Sequence, residues 1–191
     1  MNKIENHINQ MRQFISVSKL AYDAWWTLAG ESSDNYNGIR QKFPTHFQFS
    51  RYSYLTTLIV TLYMTMEKRT DTINMMNLVN LLKQEPLFKP EHIQHIEEKL
   101  DNAKLIWDKI KILRCNQFAH FNYNLSLTSV FAEANIKPNE FKQFISQLEK
   151  VINYISRIYN KSSHAFNSDH TYSTRQFMDY LLLQEKKKQM A

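Results

Sequence analysis

The run PEHIQHIEEKLDNAKLIWDKIKILRCNQFAH, residues 90–120, decides how the chain is read. Pro90 suits the first turn of a helix, where its missing N–H costs nothing, and Glu91 follows where an acid meets the positive end of the helix dipole. Place Ile96 at zero and advance 100° per residue: Trp107 falls near about 20°, Leu100 and Phe118 near about 40°, Ile93 near about 60°, Ala103 and Phe121 near about 340° and Ile110 near about 320°. One apolar stripe results, and it predicts a helix from Pro90 to about His120. Arg114 falls at roughly 0°, in the centre of the stripe, and His120 at roughly 240°, at its edge. A guanidinium left unpaired in an apolar core is strongly destabilising. Arg114 must therefore pair with an acid, snorkel to water or line a polar cleft. Along the axis the two side chains are about 9 Å apart, and they point about 120° apart. One helix does not converge them on a single phosphate, whereas two copies across a twofold axis can.

The segments on either side are helical too. From Lys3 to about Ala29 the apolar residues Ile4, Ile8, Met11, Ile15, Ala21, Trp25 and Leu28 keep helical spacing. Residues 30–45 hold both glycines, a Ser-Ser-Asp-Asn run and Pro44, and read as a long loop with a short turn near Ile39–Phe43. A second long helix is expected from about His46 to Arg69, with Leu55, Leu58, Ile59, Leu62, Tyr63 and Met66 as its apolar stripe. Asp71 then reads as the N-cap of a helix over residues 72–83, with Ile73, Met76, Leu78, Val79 and Leu82 facing inward. Pro138 opens another helix, with Phe141, Phe144, Leu148, Val151, Ile152, Ile155 and Ile158 on one face. Residues 160–170 read as a polar loop. A last helix is expected at about 173–187, with Phe177, Leu181 and Leu182 inward. The sum is an all-α antiparallel helical bundle with short additional helices, expected to form a single domain over residues 1–191.

Composition excludes several function classes. The 191 residues include two glycines, so Gly-rich phosphate loops, dinucleotide fingerprints and hairpin-rich β folds are ruled out. A net charge of +6 makes a polyanion a natural partner. The single cysteine, Cys115, excludes an intramolecular disulfide and fits a reducing, cytoplasmic location. Glu5, Arg12 and Lys19 interrupt the N-terminus, as a signal peptide would not. The most apolar run, residues 54–66, is too short to span a membrane. Glu91, His92, His95 and Glu98 share one helix without the His-Glu-x-x-His pattern and read as a solvated first turn. His164 and His170 lie in the polar loop without matching ligands. Cys115 and His120 point about 140° apart, too far for a dyad. The Lys186–Lys188 run reads as a favourable helix C-terminus.

With these residues in place, Arg114-Cys-Asn-Gln-Phe-Ala-His120 resembles the Arg-x(4–6)-His motif of the HEPN superfamily. Leu-Arg-x-x-x-x-Ala-His at the end of a long helix is similar to the abortive-infection AbiU-type branch. The upstream order agrees: an early Trp, a long apolar helix ending Met64-Thr-Met-Glu-Lys-Arg-Thr-Asp71, then a short helix with Leu78, Leu81 and Leu82. The likeness covers residues 25–159, the HEPN-like core, and leaves the helix at 173–187 as an accessory. It implies a helical bundle and a homodimer with the motifs at its interface. It also implies metal-independent endoribonuclease activity in a bacterial toxin or anti-phage system, with RNA as substrate, an antitoxin protein as partner and no cofactor or metal. Many members carry Asp or Asn directly after the arginine; here Cys115 stands there and Asn116 follows.

The residue types suit that chemistry. Histidine titrates near neutrality and can move protons. Arginine stays charged and forks onto phosphate oxygens. Together they can promote attack of an RNA 2′-OH on its own phosphorus, a reaction closed to DNA. Arg114 and His120 are the expected catalytic pair. Asn116, Gln117, Asn122 and Tyr123 are the expected RNA-binding or orienting residues. Two alternatives stay open. One is a HEPN-like module that binds RNA or a partner protein without cleaving. The other is a structural helical protein in which Arg114 makes a buried salt bridge.

Overall fold

The computed structural model describes residues 2–119, 127–166 and 170–190. Four long helices carry the apolar stripes: α1 (Lys3–Ala29), α3 (Pro44–Thr65), α5 (Pro90–Leu113) and α7 (Pro138–Asn160). Between and after them lie α2 (Asn37–Lys42), α4 (Met75–Leu82), α6 (Leu127–Ala134) and α8 (His170–Met190). Among the described residues there is no strand, so the fold is all-α. α1 packs chiefly on α3 and also on α7 and α8, while α5 packs on α7, α6 and α3. The stripes meet in one large core, with Met11, Ile15, Leu58, Leu62, Ile110 and Phe144 completely buried. Each such side chain contributes about 1.5–3 kcal/mol of transfer free energy.

Local chemistry sets the helix ends. The Asn2 side chain accepts the Ile4 N–H at 3.0 Å and starts α1. Pro44, Pro90 and Pro138 each occupy the first turn of their helix. Gly30 ends α1 because nothing larger fits: a Cβ there would lie 2.6 Å from the Trp26 ring and 2.7 Å from the Trp26 carbonyl oxygen.

Several boundaries differ from the sequence expectation. Residues 30–45 are not a long loop: a 3₁₀ helix, Glu31–Tyr36, leads into α2. A second small core explains this, since Leu28, Tyr36, Ile39 and Phe47 close around Met178 of α8. The Tyr36 hydroxyl donates to Asp179 Oδ1 at 2.8 Å, and Arg40 donates to the Leu28 carbonyl at 2.7 Å, closing the end of α1. α3 stops at Thr65, four residues short of Arg69. Asp71 does not cap α4. Its carboxylate accepts from Nε and one terminal nitrogen of Arg69, at 3.0 and 2.7 Å, while Asn74 accepts the Asn77 N–H at 2.8 Å and is the cap. With Leu78, Val79 and Leu82 inward, the helical period puts Met75 on the buried face and Met76 outside it, 43% exposed. α6 is an addition: its eight residues are too few to stand out by periodicity. In α8 it is Met178 that is buried, while Phe177 is 52% exposed. No described helix is long and apolar enough to cross a membrane.

Candidate functional site

α5 gives way at Leu113 to a π-helical turn, Arg114–Ala119. The widened i→i+5 bonding is rare and occurs mostly as single turns, frequently at functional sites. Here it begins on Arg114 and ends one residue before His120. The expected continuous α-helix through His120 is corrected accordingly.

Arg114 is not in the centre of a buried stripe. It is half-buried, whereas Ile106, Ile110 and Leu113 are buried. The buried face of α5 drifts around the helix: Ile93, Ile96 and Leu100 hold its first part, Ile106, Ile110 and Leu113 its last. The drift carries Arg114 to the edge. Its guanidinium lies over the Tyr63 ring of α3, 4.8 Å from the centroid, a contact worth about 0.5–2 kcal/mol. Tyr63 is half-buried and also stacks on Trp107, with centroids 5.7 Å apart and planes at 18°. Trp107 donates its Nε1–H to the Tyr63 carbonyl at 3.0 Å, locking α5 to α3 about two helix turns before Arg114. Among the described residues, no carboxylate pairs with Arg114. An aromatic face thus holds the arginine without neutralising it.

The other motif residues divide. Asn116 is half-buried and donates to Glu133 Oε2 of α6 at 3.0 Å, so it ties the π turn to the next helix. Cys115 is half-buried beside it. Gln117 has its backbone in the π turn, and its side chain lies outside the described residues, as do His120, Asn122 and Tyr123 altogether. Lys111 extends over the Trp107 ring at 5.8 Å, adding a cation one turn from Arg114. Behind the site Lys109 pairs with Glu140 at 2.7 Å and fixes α5 to α7.

The family model HEPN_AbiU2, described as AbiU2, matches residues 1–180. The chain belongs to the HEPN_AbiU2 family. No curated protein and no solved structure matches it.

In this HEPN_AbiU2 chain the match extends the likeness beyond residues 25–159, taking in α1 and the first half of α8. The structure also adds contributors that the sequence hid. Tyr63 read as one more member of the α3 stripe and Trp107 as one more of the α5 stripe. Glu133 sat in a helix that was not expected. A cleft of about 290 Å³ runs from Trp107 towards α4, lined by Lys68, Lys104, Asp101 and Met76. It adjoins the Arg114 platform through Trp107 and offers two lysines against one carboxylate.

Proposed function

We propose that this protein is a metal-independent endoribonuclease of a bacterial toxin or abortive-infection system. It works as a homodimer whose two copies bring Arg114 and His120 to one cleft. The observation that carries the reading is the guanidinium of Arg114, seated on Tyr63 at the start of a π turn without a described carboxylate partner. Holding a cation on an aromatic face keeps its N–H donors free for a phosphate. The 2′-oxygen of the substrate attacks the adjacent phosphorus as its proton leaves to a histidine. The P–O5′ bond breaks, and a proton is delivered to the departing oxygen. The products are a 2′,3′-cyclic phosphate and a 5′-OH. Arg114 stabilises the charge that builds on the phosphoryl oxygens. Lys104 and Lys111 extend the positive strip along α5 for the RNA backbone.

The test incubates the protein with RNA in EDTA beside Arg114→Ala and His120→Ala. Each variant is expected to lose about 10²–10³ in rate. RNA carrying 2′-O-methyl groups should resist cleavage. Equal cleavage by wild type and variants would sink the assignment. A second reading is favoured by one observation: Asn116, two residues after the arginine, donates to Glu133. In that reading the chain binds RNA at the same cleft without cutting it, and wild type shows retention without products.

A further inference from the structure

Residues 35–66 contain no aspartate or glutamate, yet they hold Arg40, Lys42, Arg51 and seven Phe or Tyr residues. Aromatic rings interleaved with cations, with no acid among them, suit a single-stranded nucleic acid. Part of that content belongs to packing: Tyr36 and Phe47 enter the second core, and Lys42 pairs with Glu185. The remainder lies on the outside of α3. Phe49 is 70% exposed and Tyr52 40% exposed, in a helix whose Leu55, Leu58 and Leu62 are buried.

These rings border a groove of about 510 Å³ between α3 and the end of α1. Trp25 and Leu55 are the buried part of its lining, and Gln48, Phe49, Arg51 and Tyr52 the exposed part. Among the described residues no carboxylate lines the groove, and none pairs with Arg51. Arg51 shares a neighbouring hollow with Arg40, which donates to the Leu28 carbonyl and to Asn37, both uncharged. Two arginines this close without an acid repel each other and favour an anion between them.

The groove leads towards Arg114. At 100° per residue from Tyr63, Tyr52 falls near about 340°, Thr56 near about 20°, Phe49 near about 40° and Val60 near about 60°, on one face of α3. Thr56 and Val60 are half-buried, so that face stays partly open between the groove and Tyr63. Tyr52 precedes Tyr63 by 11 residues, about 16 Å along the axis. The π turn that begins at Arg114 packs on the same helix.

We propose that the groove is a stacking subsite for unpaired bases of an RNA strand that continues from the Arg114 cleft. Bases lie on the Phe49 and Tyr52 rings, and a phosphate of the strand meets Arg51. In a duplex the faces of a base are covered by its neighbours, so the strand selected is single. The inference rests on the reading of this protein as one that acts on RNA, and adds the strandedness of the substrate. A second copy of the chain suits the groove less well. A twofold contact here would set Arg40 and Arg51 of both copies together, with no acid in residues 35–66 between them.

Binding is read by fluorescence anisotropy with a 2′-O-methyl RNA of about 12 nucleotides, as a single strand and as a duplex, over a range of salt. The single strand should bind about tenfold tighter than the duplex. Phe49→Ala/Tyr52→Ala removes two exposed rings and should weaken the single strand about tenfold or more, with the salt slope unchanged, because stacking releases no counterion. Phe49→Tyr/Tyr52→Phe keeps both rings and should restore binding. Arg51→Gln should lower the salt slope by about 0.7. Circular dichroism verifies the fold of each variant. Equal binding of strand and duplex, or an alanine variant that binds as wild type, overturns the subsite and leaves the endoribonuclease reading standing if wild type still cuts RNA. Weakened binding by that variant, with no cleavage by wild type, keeps the subsite and removes the enzyme. An alanine variant that changes from dimer to monomer in light scattering overturns the subsite and assigns the rings to a contact between copies.

Discussion

Tyr63 is the residue on which the site rests. Its ring meets the Arg114 guanidinium and the Trp107 indole, and its carbonyl takes the indole N–H. A phenyl ring supplies the same face, so Tyr63→Phe should keep RNA cleavage close to wild type. Tyr63→Leu keeps the bulk but loses the face, and should lower cleavage by about fivefold or more, in line with a cation–π contact of roughly 1 kcal/mol. Cleavage rates at saturating RNA, with circular dichroism to verify folding, decide the matter. Equal loss in both variants would point to the hydroxyl instead. None of this was visible in the sequence. A tyrosine at helical spacing reads as core, and only the packing of α5 on α3 shows that half of it remains open. The arginine itself was conspicuous. What could not be read was its neighbour, because a ring contact across two helices leaves no local pattern.

Among the elements, α1 and α7 were the most legible. The apolar spacing predicts α1 from Lys3 to Ala29 and a start for α7 at Pro138, as found. Legibility failed where competition between neighbours sets the boundary. Asp71 and Asn74 are both good caps, and the pairing of Asp71 with Arg69 leaves the position to Asn74. It failed again on α5, whose buried face drifts over 24 residues, so that angles summed from Ile96 misplace Arg114. α7 yields two predictions. It ends on Lys161, a non-glycine residue at φ 52°, ψ 29° whose N–H bonds the Ser156 carbonyl. Glycine adopts that conformation without a Cβ penalty, so Lys161→Gly should raise stability by about 0.5–1 kcal/mol in urea denaturation. At the other end, burial pulls the Glu140 carboxyl upward, but hydrogen bonds from Lys109 and the Lys137 N–H, and both lysine charges, outweigh it and hold the carboxyl low. A carboxyl lowered on folding adds stability in full above its unfolded value, and that stability is lost as pH falls through the folded value. Glu140→Gln should therefore melt below wild type at neutral pH, and the gap should close below about pH 4. A gap that persists in acid would show that the ion pair is not its source.

At the scale of the molecule the question is whether Arg114 and His120 act within one chain or between two. Composition and periodicity made the all-α class legible, and the motif with its helix order made the family legible. The second core was not, because α8 lies far along the chain from the segment it orders, Met178 against Tyr36 and Ile39. Symmetry is likewise absent from a single sequence, yet it can be tested by mixing. Arg114→Ala and His120→Ala are each expected to be inactive. If the site joins the arginine of one copy to the histidine of the other, a mixed dimer keeps one working pair, formed by the two unaltered residues. Random exchange makes about half of the dimers mixed, each with one of two sites intact, so the mixture should recover roughly a quarter of wild-type cleavage. If the pair acts within one chain, no chain in the mixture holds both residues and nothing is recovered. Subunits are exchanged by mild denaturant and dilution, and cleavage is compared with a wild-type sample treated in the same way. Recovery near a quarter places the site between the copies. An inactive mixture, with mixed dimers verified by mass spectrometry, places it within the chain and removes the twofold cleft from the mechanism.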